Sequence, residues 1–234
     1  MMFINGVDLK NYKAKLVSLN IGTAAKSCER KFLSRSSLKP VLTGETGYQF
    51  TPISLDIEII ASNRNEFEQL KSSLIAALRE CVIKFEDIKD RIYTCYMPES
   101  AEIVKEELPE TGEITCTLYA ICEGPEQEKT FTKTLQFKVE GNCDVAVVLA
   151  ITNNIALNDI TITGLSDKAI KVSSVERNTP LVIDGNKCTI TQGGSNKFKD
   201  AEMWEFPHLL PGTHTVTLST EVTSATLSYK PRFI

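Results

Sequence analysis

Few side chains in this sequence are suited to act as a nucleophile or a general base. The 234-residue chain contains two histidines, His208 in a proline-flanked turn and His214 at the start of a predicted strand. No G-x-S-x-G sequence places a serine beside them, although the residues alone leave a Ser-His-Asp triad open. The loop at Gly193-Gly194-Ser195 would cradle a phosphate only if it led into a helix, and the residues after it indicate more loop. We therefore predict no catalytic residue and no enzyme activity.

A run of glutamates raises the question of paired catalytic carboxylates or a calcium site. Glycosidases hold two carboxyl groups at a defined separation, and EF-hand loops space acidic residues around a central glycine. The spacing here fits neither arrangement, so a solvated face of a hairpin is favoured over a cell-wall hydrolase that uses two of these residues. The glutamates are Glu99, Glu102, Glu106, Glu107, Glu110 and Glu113.

The cysteines lack the spacing of a zinc site or a secreted disulfide framework. Their number, seven, is odd, and no two of them stand in a C-x-x-C pair. Several fall inside apolar patterns, which indicates small buried hydrophobic side chains in a reducing compartment. We predict no metal-binding and no cofactor-binding residue. The cysteines are Cys28, Cys81, Cys95, Cys116, Cys122, Cys143 and Cys188.

The single tryptophan, Trp204, allows two interpretations. In the favoured one, Trp204 and Phe206 pack onto a sheet, and Pro207 directs the chain into its last hairpin. In the alternative, an exposed Trp204 stacks on a sugar ring, since its face is apolar and polarisable. The chain would then be a carbohydrate-binding β-sandwich module.

The composition is that of an ordinary globular protein, with 42% hydrophobic and 24% charged residues. A formal charge of −4 argues against dominant electrostatic binding to nucleic acid, which needs clustered lysine and arginine. No apolar run approaches the roughly 18 residues of a membrane span. The first eight residues lack the features of a signal peptide, so we expect folding in a cytoplasm.

One change of hydrophobic period organises the first half of the chain. Residues 51–59 alternate apolar and polar side chains, which predicts a strand with one buried face. Asn63 and Glu66 form a helix-start pattern, and apolar residues then recur every three or four positions. We predict a single helix over about residues 63–79, packed on a sheet.

Residues 23–50 are polar, rich in glycine and serine, and without periodicity. The pattern predicts a long irregular loop, of a kind that is mobile or ordered by a partner. Its basic residues are suited to contact an anion, but a solvated loop is favoured because no aromatic residue interleaves with them. They are Lys26, Arg30, Lys31, Arg35 and Lys39.

From residue 144 onward, short apolar segments alternate with turn signals every eight to twelve residues, which is typical of a β-sandwich. Glycines at positions 124 and 141 punctuate the region before it. We predict two domains. Residues 1–140 form an α+β domain, mostly antiparallel β with one helix, and residues 141–234 form an all-β sandwich.

Both ends of the chain resemble the distal tail protein (Dit) family of siphophages, the long non-contractile-tailed bacteriophages. The resemblance is carried by WEFPHLLPGTHTV at 204–216, LSYKPRFI at 227–234 and FINGVD at 3–8. Thr213-His214 departs from the family pattern, in which asparagine is common. The resemblance implies an α+β first domain followed by a galectin-like sandwich, which agrees with the fold predicted from the residues.

The resemblance also implies a function as a structural virion component of a phage or prophage. Six copies of the first domain would form a ring that joins the tail tube to the baseplate or tip proteins and lets DNA pass. The outer domains would hold receptor-binding or adhesion proteins, and the loop at 23–50 would be ordered by a neighbouring copy. The family implies neither sequence-specific nucleic-acid binding nor membrane insertion, and its members reach the virion tail from the bacterial host cytoplasm.

Overall fold

A computed structural model describes residues 1–24, 26–31, 41–98, 102–108 and 110–234, with the backbone alone at 26–31, 41–48 and 102–108. Its contacts divide the chain into two compact units. The first is Met1–Glu123 together with Ile234, and the second is Gly124–Phe233.

The first unit is an antiparallel sheet with one α-helix among its described residues. The sheet order is β2-β1-β7-β8-β10-β6-β3, with β9 paired to the first half of β10, and β4 pairs with β5 separately. The elements are β1 (Met2–Ile4), β2 (Val7–Asp8), β3 (Ala14–Ile21), β4 (Lys26–Lys31), β5 (Val41–Tyr48), β6 (Thr51–Ile60), α1 (Arg64–Arg79), β7 (Glu80–Phe85), β8 (Ile92–Tyr96), β9 (Glu102–Leu108) and β10 (Thr111–Glu123).

Helix α1 forms as predicted, with its start fixed by the side chains that the sequence indicated. Asn63 Oδ1 accepts a hydrogen bond from the Glu66 backbone N–H at 3.0 Å. Glu66 Oε2 accepts from the Ser62 backbone N–H at 2.7 Å, and Lys13 Nζ donates to Oε1 at 2.6 Å. These contacts satisfy backbone donors that the first turn leaves unpaired and place a carboxylate at the positive end of the helix.

The helix packs its apolar face on the sheet, as predicted. Its residues Phe67, Leu74 and Leu78 are fully buried, and α1 contacts β6, β7 and β8. On β6, every second side chain is fully buried as well. Each such side chain contributes roughly 1.5–3 kcal/mol relative to leaving it exposed. The buried side chains of β6 are Ile53, Leu55, Ile57 and Ile59.

The prediction of one irregular loop over residues 23–50 is wrong for the part that the structure describes. Strands β4 and β5 pair antiparallel, with Lys26 opposite Tyr48 and Lys31 opposite Val41. Backbone hydrogen bonds define this ladder, and its polar, glycine-containing sequence lacks the alternation that marks a strand with a buried face. Residues 25 and 32–40 and the side chains of the basic residues lie outside the described part of the chain.

The second unit is a β-sandwich, as predicted. One sheet has the order β11-β22-β13-β16-β17-β18, with β20 paired to β13, and the other has the order β12-β21-β14-β15-β19. Side chains of both sheets form one core. The strands are β11 (Gln127–Phe131), β12 (Thr134–Val139), β13 (Val145–Thr152), β14 (Leu157–Thr163), β15 (Ile170–Val175), β16 (Leu181–Asp184), β17 (Thr189–Gln192), β18 (Ser195–Asn196), β19 (Ala201–Glu202), β20 (His208–Leu209), β21 (Gly212–Leu218), β22 (Ser224–Tyr229) and β23 (Arg232–Phe233).

The boundary between the units lies earlier than the predicted one after residue 140. Strand β11 pairs with β22, where Phe131 lies opposite Ala225, and β12 pairs with β21, where Phe137 lies opposite His214. Both phenylalanines belong to the sandwich core. Alternation within residues 129–139 indicates strands but does not say which sheet they join. The sequence therefore predicts the domain boundary after these strands.

We propose that the sandwich folds independently when it includes these two strands. A fragment of residues 124–234 should unfold cooperatively on heating. A fragment of residues 141–234 should lose the cooperative transition, because removal of a buried phenylalanine costs about 3–5 kcal/mol and domains are stable by only about 5–15 kcal/mol. Circular dichroism measures both transitions, and equal melting temperatures would contradict the assignment of β11 and β12 to this domain.

The contacts of Glu66 predict a pH dependence of stability. Its hydrogen bond from Lys13, and then the one from the Ser62 backbone, lower the pKa of the carboxyl group to about 2. The stabilisation is therefore fully present above the unfolded-state pKa of about 4.3 and is lost as the pH falls towards 2.

Between these two pH values the free energy of unfolding should fall less steeply for Glu66→Gln than for the wild type. Denaturant titrations at several pH values measure both slopes, and Glu126→Gln serves as an exposed control. Parallel wild-type and Glu66→Gln curves would contradict the prediction.

Candidate assembly surfaces

The sheet of the first unit has an open face, which we define as the face opposite α1. On β6 it carries Pro52, Ser54, Asp56 and Glu58, which alternate with the buried side chains under the helix. Antiparallel pairing with β3 and β10 extends the face on both sides. Because side chains on one face of neighbouring strands lie side by side, each of these residues has cross-strand partners on the same surface.

The middle of the open face carries a carboxylate held by two hydroxyl groups. Ser18 Oγ donates to Asp56 Oδ2 at 2.5 Å, and Thr115 Oγ1 donates to Oδ1 at 2.7 Å. These hydrogen bonds, that of Ser18 first, lower the pKa of Asp56. In the next row, Glu58 lies opposite Glu113 on β10. On its other side, Glu58 lies opposite Lys15 of β3. This region of the face therefore carries three carboxylates, Asp56, Glu58 and Glu113, beside one lysine.

The other end of the open face carries an aromatic cluster, which we define as Phe50, Tyr96 and Tyr119. The ring centroids are 5.1 Å apart for Phe50 and Tyr96, 5.8 Å for the two tyrosines and 6.4 Å for Phe50 and Tyr119. Phe50 is 44% exposed and Tyr119 is 37% exposed. Clustered exposed aromatic side chains are typical of contact surfaces between proteins. The open face thus passes from charged to aromatic along its strands.

The two histidines each lie near a backbone carbonyl. His208 Nδ1 is 3.2 Å from the Phe206 carbonyl oxygen, and His214 Nε2 is 2.7 Å from that of Leu210. The glycine pair before Ser195 leads into β18 and a short 3-10 turn, which is not a helix that would bind phosphate. Among the described residues, no three His, Cys, Asp or Glu side chains gather as a metal site. No described helix has the length and apolarity needed to cross a membrane.

The predicted glutamate-rich hairpin face falls partly outside the described residues. Glu99 lies outside them, and Glu102, Glu106 and Glu107 belong to β9, of which the backbone alone is described. Glu113 lies on the open face opposite Glu58. Strands β9 and β10 pair antiparallel, so Glu102, Glu106, Glu107 and Glu113 belong to two neighbouring strands, as the hairpin prediction has it.

Most of the cysteines are buried, as predicted. Burial raises the pKa of the Cys116 thiol to about 11, and hydrogen bonding to Cys81 together with burial raises that of Cys95. Cys188 is exposed, so the prediction is wrong there, and the side chain of Cys28 lies outside the described part of the chain. The buried cysteines are Cys81, Cys95, Cys116, Cys122 and Cys143.

The favoured prediction for Trp204 is wrong, because the side chain is 77% exposed. Phe206 and Met203 do pack against the sandwich core. The Lys168 ammonium lies 3.9 Å from the centre of the indole ring. The segment between β19 and β20 is not a strand, and it packs Met203 and Phe206 while it leaves Trp204 between them in solvent.

Comparison with known proteins identifies the second unit. Residues 140–233 match the family described as siphovirus-type tail component, C-terminal domain. A search of curated protein sequences finds no match.

Solved structures extend the likeness to the full length of this chain. The Dit protein of phage SPP1 matches with a TM-score of 0.81 at 14% identity, over 100% of this chain and 98% of that one. A chain of the phage p2 baseplate in its activated conformation with Sr matches with a TM-score of 0.53 at 11% identity, over 97% and 94%. The corresponding baseplate with Ca gives a TM-score of 0.51 at 12% identity, also over 97% and 94%. The predicted siphophage distal tail fold is confirmed.

The residues that carried the resemblance at the carboxyl end shape a turn. Phe206 and Leu209 pack in the sandwich core, and Gly212 has φ +130°, a conformation that favours glycine. Thr213-His214 is the pair at which asparagine is common in the family. His214 contacts the Leu210 carbonyl oxygen across this turn. Phe206, Leu209 and Gly212 of this motif are therefore fold determinants.

Proposed function

We propose that six copies of this tail component form a ring at the tail tip that joins the tail tube to baseplate or tip proteins. Its role would be structural and not catalytic. The observation that carries the proposal is the full-length fold likeness to the SPP1 protein, which is described as a paradigm of the hub adsorption apparatus in phages that infect Gram-positive bacteria. The family of residues 140–233 supports the same role.

We assign the open face to the lumen through which DNA passes. A lumen surface should not bind phosphates, because each neutralised phosphate adds affinity that slows passage. The excess of carboxylates in this region, Asp56, Glu58 and Glu113 against Lys15, supports this assignment. The aromatic cluster at the end of this face would contact a neighbouring copy, and the β4–β5 hairpin would be an arm that such a copy orders.

We assign the second unit to the holding of receptor-binding or adhesion proteins. Exposed apolar side chains on it, such as Phe198 and Leu210, support a role in protein contacts. The protein would be made in the cytoplasm of the bacterial host and reside in the virion tail. No sequence-specific nucleic acid or membrane partner is proposed.

The solution mass tests the ring. Light scattering across a concentration series should approach six times the 26.0 kDa chain mass. Phe50→Ser should shift assembly to roughly 10–100-fold higher concentration if each ring contact loses about 1.5–3 kcal/mol of apolar burial. Phe198→Ser is the matched control, since Phe198 is 51% exposed but lies on the second unit. A strict monomer, both alone and with the tail tube protein, would contradict the ring.

Charge reversal tests the lumen. Glu58→Lys combined with Glu113→Lys should give rings that bind duplex DNA, with an affinity that falls as salt rises. Glu128→Lys combined with Glu176→Lys changes the net charge equally on exposed residues of the second unit and should leave DNA binding weak. Fluorescence anisotropy with labelled DNA, on rings checked by light scattering, measures both variants. Equal gains for the two variants would contradict the assignment of the open face.

A further inference from the structure

We propose that Trp204 is the platform of a carbohydrate-binding site on the second unit. Its ligand would be a chain of pyranose rings that presents a flat C–H face, as β-1,4-linked hexopyranoses do. The proposal is independent of the ring, because it depends only on residues of the sandwich.

The exposure of Trp204 is built into the fold. Met203 and Phe206, on either side of it in sequence, pack against the sandwich core. Glu205 Oε1 accepts a hydrogen bond from the Asp167 backbone N–H at 2.9 Å, which ties the segment to the loop between β14 and β15. The indole is therefore presented to solvent by an anchored backbone.

A cation orients the indole ring. Lys168 Nζ lies 3.9 Å from the ring centre, in the geometry of a cation–π contact. The backbone of Lys168 is itself held, because Ser166 Oγ donates to its carbonyl oxygen at 2.6 Å. With one face under the ammonium and 77% of the side chain exposed, the opposite face of Trp204 is open to a ligand.

The groups around the ring suit a ligand rich in hydroxyl groups. An indole face binds the apolar C–H side of a sugar, while the hydroxyl groups at the sugar edge need both donors and acceptors. Lys168 supplies a donor, and the carboxylate of Glu205, the next residue after Trp204, supplies an acceptor. The centres of protein–protein interfaces are instead depleted of charged residues. The charged neighbours of Trp204 therefore favour a glycan over a protein partner.

The chain has a single tryptophan, so its fluorescence reports this site alone. The experiment titrates the full-length protein with chitotetraose and, separately, with cellotetraose. The expected result is a saturable blue shift of the emission and protection from acrylamide quenching by at least one of the two sugars. No shift and no protection with either sugar would overturn the proposal.

Variants separate the platform from its surroundings. Trp204→Ala should weaken binding by about tenfold or more, as loss of an aromatic contact does, and calorimetry measures this because the fluorophore is lost. Its melting temperature should equal that of the wild type, since the side chain is exposed. Lys168→Met should weaken binding less, and Ile155→Ala, a change at an exposed apolar residue of the same unit, should leave it unchanged. Unchanged affinity of Trp204→Ala would overturn the proposal. The proposal would also be overturned if Trp204 is shielded in assembled tail tips and shows no response to sugar. The surface would then be a protein contact.

Discussion

The strict alternation of β6 is the constraint on which the first unit depends. Its buried side chains meet α1, and the side chains between them form the open face. Because the side-chain period of a strand is two, a slip of one residue against β3 or β10 would exchange the two sets. Apolar side chains would then face water and Asp56 would be buried under the helix. The core and the surface assigned to DNA passage are thus set by one register.

On the second unit, an irregular segment between two strands decides which aromatic side chain is exposed. The segment after β19 is anchored by Met203 and Phe206, and this anchoring leaves Trp204 between them in solvent. The residues that stabilise the sandwich and the residue proposed to bind sugar are therefore adjacent in sequence. An interaction surface formed in this way needs no cleft, which suits a protein whose proposed role is assembly.

Local patterns predicted some features well and others poorly, for identifiable reasons. The capping residues Asn63 and Glu66 lie within one helical turn of each other, so spacing alone located the helix. Strands β4 and β5 were missed because backbone pairing, without an apolar face, holds them together. The sequence predicts that both Trp204 and Phe206 pack onto a sheet, and only Phe206 does, because local sequence does not say which aromatic side chain of an irregular segment faces the core.

By itself, the sequence determined the alternation of β6, the helix and its cap, the series of strands in the second half, and the motifs at both ends that resemble distal tail proteins. The tertiary structure alone decided which sheet β11 and β12 join, and therefore where the units divide. It also decided that Ser18 and Thr115 hold Asp56 from 38 and 59 residues away, and that Asp167 is tied to Glu205 across 38 residues. Periodicity and capping act over a few residues, whereas these contacts exist only after distant strands have paired.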